Sequence, residues 1–170
     1  MARKEKMKNK TNHKRTLFLC RAAIIAAIYF ALTMLSAAFG LSSGVIQVRF
    51  SEMLCVLPIF TTAAIPGLAL GCLISNLLTG AIWQDIVFGT LATLIGAYGA
   101  YLLRKIKWLS PLPTVLANAL IIPFVLAYGY GAEEGIPFLM LTVGIGEIIS
   151  AYIFGLILIQ SLKGKNLFNN

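Results

Sequence analysis

The chain is poor in charge, in histidine and in paired cysteines, and each shortage removes a class of function. Only 12% of its 170 residues are charged, against about 25% in a soluble domain. Its one histidine, His13, lies in a basic tail, so no Ser–His or Cys–His nucleophile pair is available. HExxH and Cys/His clusters are absent, and so is the phosphate-binding GxxxxGK[ST] loop; no metal site, no cofactor and no nucleotide hydrolysis by the chain itself are expected. Cys20, Cys55 and Cys72 all lie in apolar stretches without paired spacing, which reads as three buried small hydrophobes and no disulfide. The short alternating strands of a β-barrel are missing as well. The chain is read as no enzyme.

What is present is apolar. Hydrophobic residues make up 59% of the chain, in segments that approach or exceed the ~20 residues needed to cross a bilayer. The expected fold is therefore an all-α integral membrane protein in the cell membrane, a multi-pass bundle of six transmembrane helices. Residues 1–16 form a basic tail, 17–162 the membrane domain and 163–170 a short polar tail. The basic start and the apolar run loosely mimic a signal peptide. Leu17 to Gly40 is 24 residues, however, well beyond a 7–15-residue signal core, so it reads as a retained first helix.

The helices are placed at about Leu17–Phe39, Val45–Phe60, Gly67–Leu78, Trp83–Leu103, Pro111–Tyr128 (with a kink at Pro123) and Ile136–Leu162, joined by turns at 40–44, 61–66 and 79–80 and by loops at 104–107 and 129–135. Val45 to Ile82 is tight for two spans, and loop charge decides. Eight of the fourteen Lys and Arg residues fall in the first 21 positions, which holds the amino terminus in the cytoplasm near anionic lipid. Two helices between 45 and 82 then return Arg104, Lys105, Lys107, Lys163 and Lys165 to the same side. Both termini are expected to be cytoplasmic, and beyond Arg21 in the first turns of the first helix, Arg49 is the only basic residue within a span.

Small residues mark helix contacts in membranes. Ala23, Ala27 and Ala31 recur at four-residue spacing with Ala22 and Ala26 beside them; Gly67 and Gly71, Gly89 and Gly96, and Ala151 and Gly155 mark other faces. Asp85 is four before Gly89 and Glu147 four before Ala151, so both acids should face the interior. Arg49 and Glu52, three apart, would share one helix face. A charge at the bilayer centre costs roughly 2.5–3.5 kcal/mol on insertion scales. The pair reads either as an ion pair that orients helices or as part of a polar pocket in the outer half, with Asn76 and Asp85 at similar depth and Glu147 near mid-membrane. Trp83, Gln84, Tyr128 and Tyr130 fall at the outer rim, where Trp and Tyr are also common interfacial anchors. Asn118 reads as a helix–helix hydrogen-bonding residue.

Gln47-Val-Arg49-Phe-Ser51-Glu52, Pro66-Gly67 with Gly71-Cys72 and Asn76, Asp85-Ile-Val-Phe88-Gly89, and Gly146-Glu147 resemble the queuosine-precursor transporter family QueT, among the substrate-binding S-components of energy-coupling-factor (ECF) vitamin transporters. The likeness covers residues 17–162. It implies a pocket for a queuosine precursor, a 7-deazaguanine base, and ATP-driven uptake through a transmembrane coupling subunit and two cytoplasmic ATPases. Arg49, Glu52, Asn76 and Gln84 are then candidate ring contacts. Asp85 and Glu147 would meet the ligand's donors, and Trp83 and Tyr128 offer stacking faces. Ala23, Ala27 and Ala31 would dock on the coupling subunit, the alternative being internal packing. An S-component for another vitamin, or a membrane scaffold outside transport, are the competing readings; no nucleic acid is expected as partner.

Overall fold

The structure, a computed structural model, describes the backbone of residues 2–41 and 46–164 and the side chains from Asn12 within them. Six helical rods and no strand are found among these residues. The first is α1 (Ala2–Ala38), followed by a 3₁₀ segment (Phe50–Ile59), α2 (Ala64–Leu78) and α3 (Trp83–Leu102). The fifth rod is α4 (Leu112–Phe124) continued by a π turn (Val125–Gly129). The sixth joins α5 (Ile136–Glu147), a π turn (Ile148–Ile153) and α6 (Phe154–Leu162). Four rods contain apolar stretches long enough to cross a membrane: Asn12–Ala38, Trp83–Leu102, Leu112–Gly129 and Ile136–Leu162. The 15 residues of α2 reach only about 22 Å, short of the ~30 Å hydrocarbon core.

Lys14 and Arg21 of α1, beside Thr61 and Thr62, and Lys107, over the Phe60 ring, lie at one end of the bundle, here called the basal end; the other is the distal end. Helix α1 begins at Ala2 rather than near Leu17, because nothing in 2–16 interrupts it: Lys, Glu, Met and Arg are good helix formers, and the first Gly is Gly40. Gly40 adopts the left-handed conformation (φ 69°), and the Leu41 N–H donates to Ser36 O at 3.0 Å, which ends the helix. The rest of the expected turn and the expected start of the second helix, residues 42–45, lie outside the described residues.

The second rod departs most from expectation. Helix over 46–49 does not form: Arg49 is extended (φ −111°, ψ 110°), and the Val48 N–H donates to Leu41 O at 2.9 Å. Arg49 and Glu52 therefore do not share a helix face. The 3₁₀ segment behind Arg49 is the central element. Leu54, Cys55, Val56, Leu57 and Pro58 are all buried, and α1, α2, α3 and the sixth rod surround it. A helix enclosed on every side is apolar all round. The irregularity expected at Pro123 takes the form of the π turn that begins two residues later.

Small residues bring the rods together. A Cβ on Gly67 would lie 2.6 Å from Ala22 O and one on Gly71 2.7 Å from Tyr29 Cβ, so α1 and α2 approach through Ala22, Ala26 and these glycines. Ala22 and Ala26 are buried, whereas Ala23, Ala27 and Ala31 are exposed on the opposite edge of α1. Cys20 is exposed on α1 too, a correction to the expectation of three buried cysteines; Cys55 and Cys72 are buried, and all three are free.

Candidate binding site

The site is built around the start of the 3₁₀ segment. The Phe50 N–H donates to Ser36 Oγ at 2.8 Å and the Arg49 N–H to Ser150 Oγ at 3.0 Å, so α1 and the π turn of the sixth rod fix the backbone on either side of the Arg49 side chain. Thr33 Oγ1 donates to Ser51 Oγ at 2.9 Å from α1. Gly146 admits the chain here, because a Cβ at that position would collide with Gln47 O. A π turn directly after Glu147 re-aims the side chains around it, a frequent arrangement at functional sites.

Arg49 lines two spaces. Beneath it is a closed polar cavity of about 30 Å³, bounded by Gln47, Glu52, Thr93, Asn118 and Glu147 among others; this is room for about one water molecule. Above it, at the distal end, is a vestibule of about 260 Å³ lined by Thr33, Asn76, Asp85 and Tyr130. The closed cavity holds two carboxylates and one guanidinium. Glu52 is buried and engaged: Tyr29 Oη donates to its Oε1, and Cys55 Sγ to its Oε2 at 3.3 Å. Glu147 Oε2 and Asn118 Nδ2 are buried without a hydrogen-bond partner.

In the vestibule Asp85 is buried at the start of α3. Tyr130 Oη donates to its Oδ2 at 3.1 Å, while Oδ1 has no partner. Burial and the adjacent Asp85 carboxylate push the Tyr130 phenol above its ordinary value, so it remains a donor. Asn76 Nδ2 donates to Asp85 O at 3.2 Å and joins the end of α2 to the start of α3. Among the described residues no group of three or more His, Cys, Asp or Glu side chains is arranged to hold a metal ion.

A model of the QueT transporter family matches residues 19–164. The chain belongs to the QueT transporter family. A curated relative, the queuosine precursor transporter QueT of Lactococcus lactis subsp. cremoris (strain MG1363), is 40% identical over 81 residues, which are 48% of this chain and 47% of the relative. The match thus spans about half the length of that relative. No solved structure matches the chain. As a QueT family member with four rods long and apolar enough to cross a bilayer, the chain is a multi-pass membrane protein.

Among the QueT candidate residues, the structure brings Arg49, Glu52 and Glu147 to the closed cavity and Asn76 and Asp85 to the vestibule. Gln84 and Tyr128 instead line a lateral apolar groove between α3 and α4, and Trp83 is 66% exposed and lines neither polar space. Gln47, Thr93 and Tyr130 were missing from the candidates, and Asn118 was read as a helix tie. Thr93 was within reach, since it lies eight after Asp85 on the same face of α3. In α4 only Thr114, four residues earlier, is polar beside Asn118; the pair marks one buried face but does not say which space that face meets.

Proposed function

We propose that this chain is the substrate-binding S-component of an ECF-type importer and that its substrate is a queuosine precursor, a 7-deazaguanine base. The observation that carries the reading is the polar cavity enclosed in an apolar bundle, with a guanidinium, two carboxylates and an unpartnered carboxylate oxygen. A guanine-like ring offers adjacent N–H donors to a carboxylate, and its acceptors suit Arg49. Glu147 takes the guanine-like edge. Asp85, in the vestibule, takes the cation of an aminomethyl substituent at the far side of the ring. The relative named as a queuosine precursor transporter supports the same substrate class.

The enclosed space is far below the ~300–1,000 Å³ of a ligand site. Binding therefore opens the cavity toward the vestibule, with Arg49 between them. The basal end, which carries the basic loops, faces the cytoplasm along with both termini, and the vestibule faces out. ATP is hydrolysed by two cytoplasmic ATPases working through a transmembrane coupling subunit. The exposed Ala23, Ala27 and Ala31 let that subunit approach α1 closely.

Mass spectrometry of the small molecule carried by protein purified in mild detergent, followed by titration with that compound, tests the substrate. A 7-deazaguanine is expected; a different vitamin would replace this reading. For the partners, Ala27→Trp should leave ligand binding within about twofold and abolish both uptake and assembly with the ATPases. Assembly that survives this substitution would remove the alanine edge from docking.

A further inference from the structure

Asn118 is 5% exposed, and its Nδ2 has no hydrogen-bond partner. It comes from α4 and lines the same closed cavity as Glu147, whose Oε2 is also unpartnered. The two groups are close enough to interact, yet neither of these two atoms has a partner at hydrogen-bond distance and angle. One is a donor without an acceptor, the other an acceptor without a donor. A ligand edge that satisfies both must present a carbonyl beside an N–H, which is a lactam.

We propose that Asn118 determines specificity by donating from Nδ2 to the ring carbonyl of a 6-oxo-7-deazapurine while Glu147 accepts from the neighbouring ring N–H. This rests on the queuosine-precursor reading and adds a selection rule to it. A 6-amino analogue turns donor toward Asn118 and a bare ring nitrogen toward Glu147, so both contacts become repulsive. A site that hydrogen-bonds a buried substrate group rejects an analogue lacking it far more strongly than an apolar pocket does. Ile122 and Val143, which also line the cavity, supply no competing polar contact.

The test is calorimetric titration of purified protein with 7-deazaguanine and with its 6-amino counterpart, 2,6-diamino-7-deazapurine. Wild type should prefer the 6-oxo compound by at least about 100-fold. Asn118→Leu, which keeps the branched shape and removes both polar atoms, should weaken the 6-oxo compound about 10- to 100-fold and leave the 6-amino compound less affected, so that the preference collapses. Parallel losses for both compounds would make Asn118 a packing residue and overturn the proposal. Should Asn118→Leu not fold, Asn118→Ala is read in the same way. Wild type alone also decides against it if the two compounds bind equally. Failure of wild type to bind any 7-deazapurine would overturn the substrate reading together with this one, whereas binding without discrimination overturns only the role of Asn118.

Discussion

Helices α3 and α4 border two spaces, one on each side, and the spaces are opposites. On one side Gly89, Thr93, Asn118 and Ile122 face the closed polar cavity of about 30 Å³. On the other, Phe88, Leu91, Ile95, Leu120, Ile121 and Phe124 line a lateral groove of about 560 Å³. By size the groove would be the binding site. By chemistry it is not, because lipid tails are as apolar as its walls and fill it without loss. The polar cavity has unpartnered buried groups, each of which costs about 1–3 kcal/mol while it stays so. A ligand that satisfies them recovers that free energy. In a membrane protein the informative space is the one that is costly to leave empty, however small it is.

The largest effect should come from the acid within the closed cavity. Glu147→Gln keeps size and shape and removes the charge that accepts from the ligand edge. Truncating a buried charged partner costs about 2–5 kcal/mol, or roughly 30- to several-thousand-fold in affinity. Titration should show this loss for every deazaguanine. Unchanged binding would return Glu147 to helix packing and leave the cavity without a purpose.

Asp85→Asn sharpens the division between cavity and vestibule. Its carboxylate is held by Tyr130 on one oxygen and free on the other, and it lies beyond Arg49 from Glu147. The loss should depend on the ligand's substituent: about 10- to 100-fold for an aminomethyl compound and only about threefold or less for an analogue that carries an uncharged nitrile in its place. Equal losses for the two would remove the cation-binding role.

How much of this was legible in the sequence follows from how each residue is constrained. Helix α3 was placed to within one residue at its end, and Asp85 and Glu147 were aimed inward, because small residues at four-residue spacing report a packed face. The conformation of Arg49 was hidden. Among residues 45–60 only Gln47, Arg49, Ser51 and Glu52 are polar; their alternation over 47–51 is too short a run to decide between an extended approach and a helix, and the apolar run after Glu52 does not separate an α-helix from a 3₁₀ segment. The expected Arg49–Glu52 face depended on that helix, and Glu52 is instead engaged by Tyr29 and Cys55. Tyr29, a residue of the first helix 23 positions away, could be assigned to Glu52 only once the packing was known. Gln84 and Tyr128 have the right residue types and the right depth, but their rotation about the helix axis turns them to the groove.

That rotation gives the smallest expected effect. Leu91 is 43% exposed and lies two residues from Thr93, so one helix presents it to the groove and Thr93 to the polar cavity. Leu91→Trp puts a large indole into the groove without touching any polar group of the site. The displaced material is lipid, and the added surface contacts lipid in turn. Substitutions at such positions usually stay within about 0.5 kcal/mol, so affinity for a deazaguanine should change by roughly twofold or less. Calorimetric titration in detergent and again in lipid nanodiscs measures it where the groove has different occupants. A loss beyond tenfold in both would mean that the ligand occupies or passes through the groove. The larger space would then be the functional one, and the cost of the unpartnered groups would have to be met by water.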